Sequence, residues 1–244
     1  MYALLSGVQV HYEILGAGDP IMLVHGWGGS SESISPLAKI LSTTHKVILI
    51  DLPGFGKSEM PDPSWGVEEY ADVVAELLKV LKVPKVTYFG HSFGGSLGIY
   101  LSTKKPNLID SLILCDSSYK RSGKRSLLAR IFHHIFPRNN PPFRLLLYKI
   151  FFRSSDLAKF PLLEQNFRKI MKHDLTDLPN KIVCKTLILW GEKDTITPLV
   201  WARELEEQIT NATLKIIPNI GHALPLKHPE VVADEVYKFL VTSS

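Results

Sequence analysis

Three side chains that lie far apart in the sequence have the types needed for nucleophilic catalysis at a carbonyl carbon. The stretch GHSFG at residues 90–94 places Ser92 between two glycines, directly after an apolar run. A serine hydroxyl is a weak nucleophile, so it needs a neighbouring base, and the base needs an orienting acid. Asp194 and His222 each follow an apolar run later in the chain. The order serine, acid, histidine is the one used where the serine stands on a sharp strand-to-helix turn.

The choice of these three residues leaves alternatives open. Ser92 on its own could be an idle residue in a glycine-rich turn. Asp116, which also follows an apolar run, is the rival for the acid, whereas Asp51 precedes a Pro-Gly turn and is expected to cap it. His91 adjoins the serine, and its side chain is expected to point away from it. Four other histidines are expected to be solvated or packing residues: His133, His134, His173 and His228.

A tetrahedral intermediate on Ser92 would need two hydrogen-bond donors for its negatively charged oxygen. One is expected to be the backbone N–H of Phe93, the residue after the nucleophile. The other is expected to be the N–H of Trp27 in the stretch HGWGG at residues 25–29, where glycines permit close approach of the backbone. The side chains of Trp27, His25 and Phe93 are predicted to contact the substrate. The alternative for this stretch is an ordinary turn.

Apolar runs bounded by turn residues alternate with helical patterns along most of the chain. This alternation predicts a mainly parallel sheet with helices on both faces. The alternation of strand and helix patterns is interrupted between about residues 120 and 178, where two apolar stripes at helical spacing indicate a helical insertion. The predicted strands are 8–15, 21–25, 47–50, 86–89, 112–115, 186–190 and 214–217, and the predicted helices are 33–41, 67–81, 94–103, 198–208 and 229–241.

Five motifs distributed over the chain together resemble those of the α/β-hydrolase superfamily. They are HGWG at 25–28, DLPGFGKS at 51–58, GHSFGG at 90–95, WGEKD at 190–194 and GH at 221–222. The resemblance implies an eight-stranded, mainly parallel α/β-hydrolase sheet with helices on both faces and an inserted helical lid. It divides the chain into a core of residues 1–119 and 179–244 and a lid of residues 120–178. It also implies that Ser92, Asp194 and His222 form a catalytic triad.

Within this superfamily, the residues favour a carboxylic ester hydrolase that forms an acyl-enzyme and prefers short to medium acyl groups. A serine nucleophile argues against similarity to the haloalkane dehalogenases and epoxide hydrolases, which attack with aspartate. Carbon–carbon bond hydrolases usually carry tryptophan after the triad histidine, whereas Ala223 follows His222 here. The HGWG and DLPGFG motifs resemble esterases that remove methyl from pimeloyl carrier-protein esters. Hydrolysis of a carrier-protein ester or thioester, a lactone or a carbon–carbon bond is an alternative, as is a small-molecule receptor of this fold.

Composition limits the class of protein. The 244 residues are 45% hydrophobic and 21% charged, as in a globular protein with a sizeable core, and no apolar run reaches the roughly 18 residues of a membrane span. Two cysteines and the absence of a signal-peptide pattern at the first residues favour a reduced, cytoplasmic protein. The sequence has no metal-ligand spacing and no phosphate-binding loop, so neither a metal nor a cofactor nor a nucleic acid is expected.

The predicted lid is strongly basic. Residues 120–177 contain thirteen Lys and Arg against four Asp and Glu, whereas the whole chain has a net charge of +4. These charges could be solvated faces of the lid helices. Beside apolar stripes, they would also suit an acidic partner such as an acyl carrier protein, or an anionic membrane surface. The sequence therefore predicts a small-molecule ester as substrate and leaves the role of the basic lid open.

Overall fold

The computed structural model describes residues 1–120 and 160–241 of the chain. Eight strands lie in this part of the chain, and most are rich in the β-branched and apolar residues that suit a buried sheet. They are β1 (Tyr2–Leu5), β2 (Val8–Leu15), β3 (Pro20–Val24), β4 (Lys46–Ile50), β5 (Val86–His91), β6 (Ile109–Cys115), β7 (Lys185–Gly191) and β8 (Ala212–Ile217).

The eight strands form one sheet in the order β1-β2-β4-β3-β5-β6-β7-β8. β2 runs antiparallel to both β1 and β4, whereas every neighbouring pair from β4 to β8 is parallel. The predicted eight-stranded, mainly parallel sheet is therefore confirmed. Because β5, β6, β7 and β8 are consecutive parallel neighbours, the loops that follow them emerge side by side at the carboxyl edge of the sheet.

Helices cover both faces of the sheet, as the alternating pattern predicts. They are α1 (Ser31–Leu41), α2 (Val67–Val80), α3 (Phe93–Lys104), α4 (Glu164–Ile170), α5 (Leu199–Gln208), α6 (Leu224–Lys227) and α7 (Pro229–Val241). The buried faces of α2, α3 and α5 form one hydrophobic core with the sheet, and those of α1 and α7 form another. Along β3, Met22 and Val24 belong to the first core whereas Ile21 and Leu23 belong to the second. Side chains that alternate along a strand thus serve both layers.

Two elements are not predicted by the sequence pattern. β1 has only four residues, Tyr2–Leu5, of which Leu5 alone is buried, so it is too short to show a strand pattern with one buried face. α6 has a single turn and is too short to show a helical period. The bounds of the other core elements differ from the predicted ones by a few residues, since helix and strand ends depend on local hydrogen bonds that the hydrophobic pattern does not report.

The predicted lid falls largely outside the described residues. The chain leaves the sheet at Cys115 and returns at Lys185, and residues 121–159, which include both predicted apolar stripes, lie outside the described part. In the described part of the chain, no helix has both the length and the apolar character needed to cross a bilayer.

Some basic residues of the predicted lid lie within the described part, and three of them pair with acids. The pairs are Lys120 with Glu204, Arg168 with Glu164 at 2.6 Å, and Lys169 with Glu69 at 3.2 Å. These three residues therefore already have partners of opposite charge within the chain. An acidic or membrane partner for the lid stays a prediction.

Candidate active site

Ser92, Asp194 and His222 meet at the carboxyl edge of the sheet. They follow β5, β7 and β8, respectively. Nε2 of His222 lies 3.0 Å from Oγ of Ser92, and Nδ1 of His222 lies 2.8 Å from Oδ2 of Asp194. Because a carboxylate only accepts hydrogen bonds, Nδ1 carries the proton and Nε2 is left to accept from the serine hydroxyl. The structure thus brings together the three side chains that the sequence singles out.

The turn that carries Ser92 is strained. Its φ of 51° lies in the left-handed region, which is rare for a residue other than glycine. An added Cβ at Gly90 would lie 2.4 Å from the carbonyl oxygen of Gly94, and one at Gly94 would lie 2.3 Å from that of Val24. Both glycines are therefore needed for the turn. It holds Ser92 at the N-terminus of α3, where the helix dipole favours negative charge.

Asp194 accepts four hydrogen bonds. Its Oδ1 accepts from the backbone N–H groups of Ile196 at 2.8 Å and Thr197 at 2.9 Å. Its Oδ2 accepts from Thr197 Oγ1 at 2.5 Å and from His222 Nδ1 at 2.8 Å. Burial acts to raise the pKa of Asp194, but the bonds from His222 and Thr197 outweigh it and lower the pKa below its ordinary value. Asp194 is therefore a carboxylate at neutral pH.

The loop that carries His222 is tied to the loop that carries Asp194. The Lys193 N–H donates to the carbonyl oxygen of Ile220 at 2.8 Å. The N–H of Asn219, a residue with a φ of 62°, donates to Glu192 Oε2 at 2.9 Å. These bonds fix Asp194 relative to His222.

His91 supports His222 from the serine side. Its Nε2 donates to the backbone carbonyl of His222 at 2.8 Å, and the centroids of the two rings lie 5.1 Å apart. Burial lowers the pKa of His91 to about 4, and the neighbouring His222 adds to the lowering, so the His91 ring is neutral at physiological pH. The sequence does not predict this contact between the His91 side chain and the backbone of His222.

The HGWGG loop after β3 lies against the serine turn. An added Cβ at Gly26 would lie 3.0 Å from the Cβ of Ser92, so glycine allows this close approach. Neither the Trp27 N–H nor the Phe93 N–H donates to another group within the described residues. Both predicted oxyanion donors are thus backbone N–H groups that have no protein acceptor in this part of the chain.

The ring of His25 is engaged by backbone groups on both sides, and its contact with substrate stays a prediction. The residue is fully buried, its Nδ1 donates to the carbonyl of Gly26 at 2.7 Å, and its Nε2 accepts from the Leu52 N–H at 3.0 Å. Burial lowers the pKa of His25, against the effect of the Gly26 bond, and keeps the ring neutral. With both nitrogens engaged by backbone groups, His25 fastens the HGWGG loop to the loop after β4.

Aromatic rings surround the side chain of Trp27. The rings of Phe55, Phe93 and Phe167 lie edge-on to its indole, with centroids 4.9, 5.8 and 5.2 Å away, respectively. Within the described residues, Nε1 of Trp27 is buried and has no hydrogen-bond partner. Trp27 is partly exposed and Phe93 is buried, so Trp27 has the larger accessible surface of the two predicted substrate contacts. The oxyanion side of the site is therefore mainly apolar.

A second carboxyl group lies beside this site. Asp116 follows β6, is fully buried, and accepts the Gly191 N–H on Oδ1 at 2.9 Å. Burial raises the pKa of Asp116 to about 7, against the effect of the Gly191 bond, and the charge of Asp194 contributes to the rise. The sequence leaves Asp116 as an alternative to Asp194 for the orienting acid. In the structure, the ring of His222 is hydrogen-bonded to Asp194.

One grouping of side chains has the composition of a metal site. His91, Asp116 and His222 offer possible ligand atoms that all lie within 4.8 Å of one another. However, both nitrogens of His222 and Nε2 of His91 already take part in hydrogen bonds. A metal ion there would have to displace the contacts that join His222 to Ser92 or Asp194, so the grouping fits a hydrogen-bonded network better than a resident metal.

Comparison with known proteins decides the family. Residues 21–235, most of the chain, match the Alpha/beta hydrolase family. The chain belongs to this family. It is 29% identical over 263 residues to the 2-hydroxymuconate semialdehyde hydrolase of Pseudomonas putida, an alignment that covers 97% of this chain and 92% of that one.

Solved structures of other hydrolases share the fold. A bacterial membrane phospholipase A has a TM-score of 0.82 and 22% identity, covering 99% of this chain and 85% of its own. A thermophilic esterase from Thermogutta terrifontis has a TM-score of 0.79 and 23% identity, covering 99% of this chain and 98% of its own. At these identities the structures establish a common architecture, and the activity must be argued from the site.

Three residues that hold the site of this α/β hydrolase are missed by the sequence analysis. Thr197 could have been found, because a threonine three residues after an aspartate is a common spacing for local side-chain hydrogen bonds. His91 and Glu192 could not, since their partners lie in the loop that carries His222, more than 25 residues away in the sequence.

Proposed function

We propose that this hydrolase cleaves carboxylic esters through an acyl-enzyme formed on Ser92. The observation that carries the proposal is the unbroken hydrogen-bonded chain from Ser92 Oγ through His222 to Asp194. Serine is the nucleophile, histidine the base and aspartate the orienting acid in such a chain. The strained serine turn supports the same roles, because it presents the hydroxyl at a helix N-terminus.

In the first half of the proposed reaction, Ser92 is acylated. Nε2 of His222 takes the hydroxyl proton while Oγ bonds to the acyl carbon, and the negative charge passes to the former carbonyl oxygen. The N–H groups of Trp27 and Phe93 donate hydrogen bonds to that oxygen and stabilise its charge. Asp194 stabilises the imidazolium. His222 then gives its proton to the leaving alcohol, and the bond between the acyl carbon and the alcohol oxygen breaks.

In the second half, water releases the acid. His222 takes a proton from a water molecule as the water oxygen bonds to the acyl carbon of the ester on Ser92. The second tetrahedral intermediate collapses, the bond to Ser92 Oγ breaks, and the proton on His222 returns to the serine. The products are one carboxylic acid and one alcohol, and the enzyme is regenerated with Asp194 ionised throughout.

We further propose that short to medium acyl groups are preferred. The support is the packed aromatic cluster around Trp27, which leaves the oxyanion side of the site lined by rings. Each methylene that fits an apolar pocket contributes up to about 0.8 kcal/mol, or roughly a fourfold gain in kcat/KM. We expect kcat/KM for p-nitrophenyl esters to rise from acetate and then fall before palmitate. A steady rise through palmitate would contradict a closed pocket.

The Ser92→Ala variant tests the nucleophile. We expect kcat for the best p-nitrophenyl ester to fall by several orders of magnitude, because the triad acts as a unit. Ser102→Ala is the matched control, since Ser102 is a buried serine within α3. Wild-type protein should also show a burst of p-nitrophenol equal to the enzyme concentration. Turnover by Ser92→Ala at the wild-type rate would refute the proposal.

A second candidate reaction follows from the P. putida relative. Its name gives 2-hydroxymuconate semialdehyde as the compound that it hydrolyses, and it is 29% identical to this chain. The chain has Ala223 after His222, where carbon–carbon bond hydrolases usually carry tryptophan, so we favour ester hydrolysis. Including that semialdehyde and a lactone in the substrate panel separates the candidates by their relative kcat/KM.

A further inference from the structure

Asp116 is held in an unusual way. Its φ of 46° is left-handed, which is uncommon for aspartate and is a form of strain often found at functional sites. The side chain is fully buried and Oδ1 is bonded to the Gly191 N–H, but Oδ2 has no hydrogen-bond partner in the described part of the chain. A buried polar atom without a partner is rare in folded proteins and calls for an explanation.

The oxygen without a partner is Oδ2 of Asp116, whose carboxyl group lies close to His222, the proposed base. Possible ligand atoms of Asp116, His222 and His91 all lie within 4.8 Å of one another. Thr197 Oγ1 lies 3.2 Å from both the backbone oxygen of Asp116 and Nδ1 of His222. The titratable groups that face Asp116 are His91 from β5, Cys115 from β6, Asp194 from the loop after β7 and His222 from the loop after β8.

The two carboxyl groups near His222 have opposite protonation tendencies. Four hydrogen bonds keep Asp194 ionised, whereas burial raises the pKa of Asp116 to about 7 with a contribution from the Asp194 charge. Removing the charge of Asp194 therefore also removes one cause of the raised pKa of Asp116. A neutral residue at position 194 would leave Asp116 as the ionised carboxylate beside the imidazole.

We propose that Asp116 is a reserve positioning residue, whose free Oδ2 accepts the Nδ1–H bond of His222 when Asp194 is neutralised. This inference rests on the proposed roles of Ser92 and His222. Asp116 acts through His222 and does not touch the substrate. In the wild-type protein Asp194 already holds Nδ1, so Asp116 contributes little until that bond is lost.

The movement required is small. A carboxyl oxygen of Asp116 and a ring nitrogen of His222 lie within 4.8 Å of each other, and a charge-assisted hydrogen bond needs roughly 2.8 Å. Thr197 stays beside both groups, because its Oγ1 contacts the Asp116 backbone as well as the imidazole.

Four proteins test the inference: wild type, Asp116→Asn, Asp194→Asn and the double variant. With a p-nitrophenyl ester, we expect Asp116→Asn alone to lower kcat by a few-fold at most. Asp194→Asn should retain at least about tenfold more activity than the double variant, and that activity should rise with pH as Asp116 ionises. Equal kcat values for Asp194→Asn and the double variant would overturn the inference, as would the same fold loss from Asp116→Asn in both backgrounds.

A second readout does not depend on turnover. A proton on histidine Nδ1 that is bonded to a carboxylate gives a low-field ¹H NMR resonance, which His222→Gln would assign. We expect this resonance in wild type and in Asp194→Asn at pH 8, and its loss in the double variant. Its absence from Asp194→Asn in a folded protein would refute the reserve role. Failure of wild type to hydrolyse any ester would instead count against the proposed function, while the resonance would still decide the role of Asp116.

Discussion

Asparagine at position 116 should make the protein relatively more stable as the pH rises. The ordinary pKa of an aspartate is 3.8, and burial raises that of Asp116 to about 7. When the pKa of a group is higher in the folded than in the unfolded protein, the group contributes its full stabilisation of the folded state below the unfolded pKa. This contribution is lost as the pH rises through the folded pKa. The stability of the wild-type protein therefore falls between about pH 4 and pH 7 because of Asp116. Asparagine does not titrate and removes this loss.

The size of the effect follows from the two pKa values. Each unit of difference is worth 1.36 kcal/mol, so the loss from Asp116 is about 1.5 kcal/mol at pH 5 and about 4 kcal/mol at pH 8. The side chain is fully buried, so no solvent screening reduces these figures. The amide introduced by Asp116→Asn would place an unpaired NH₂ group where Oδ2 has no partner, a cost of about 1–3 kcal/mol at every pH. Only the change with pH is therefore diagnostic.

Urea unfolding at pH 5 and pH 8 measures that change. We expect the free energy of unfolding of Asp116→Asn, relative to wild type, to increase by about 2.5 kcal/mol from pH 5 to pH 8. Asp110→Asn is the matched control, because Asp110 lies on β6, the strand that Asp116 follows, but its side chain is 55% exposed and pairs with Lys85. A difference between Asp116→Asn and wild type that is the same at both pH values would show that Asp116 holds no proton at neutral pH.

Three further substitutions test the site. Gly90→Ala should abolish activity and lower the melting temperature, because the added Cβ would lie 2.4 Å from the Gly94 carbonyl oxygen; near-normal activity would contradict the serine turn. His91→Phe should lower kcat by about tenfold with little change in KM, since it removes the bond to the His222 carbonyl, and steady-state kinetics on the p-nitrophenyl ester would show this. Gly98→Ala should destabilise the fold by about 1–3 kcal/mol in urea unfolding, because its Cβ would meet the Tyr88 ring at 2.6 Å; an unchanged midpoint would count against tight packing of α3 on the sheet.

The parts of the site that the sequence predicts are those whose signals are local. The glycines around Ser92 and the apolar runs before Ser92, Asp194 and His222 are visible in short windows. Parallel pairing then places the ends of β5, β7 and β8 at one edge, so residues far apart in sequence meet without further information. For this reason the mainly parallel character of the sheet and the meeting of the three side chains follow from pattern, whereas β1, and with it the count of eight strands, does not.

The parts that the sequence does not predict depend on side-chain orientation and on distant partners. Nothing in HGWGG shows that the ring of His25 turns into the protein and binds the Leu52 N–H. The contact between His91 and the His222 carbonyl joins residues 131 positions apart. The raised pKa of Asp116 depends on full burial beside Asp194, which no short window reports. Hydrophobic periodicity shows which face of a helix or strand is buried, but it does not show which group each polar atom will bond to.

Because Ser92 and His222 lie far apart in the sequence, hydrolytic activity should return late in refolding. Ser92 is set by β5 and α3, which are adjacent in the chain, whereas His222 is 130 residues away and arrives only with β8 at the edge of the sheet. Contacts between residues so far apart carry a larger loop-closure entropy and slow the folding of the structures that need them. Recovery of activity should therefore follow the recovery of helical circular dichroism. Under the proposed ester hydrolysis, the return of activity on a chromogenic ester would report when β8 joins the sheet.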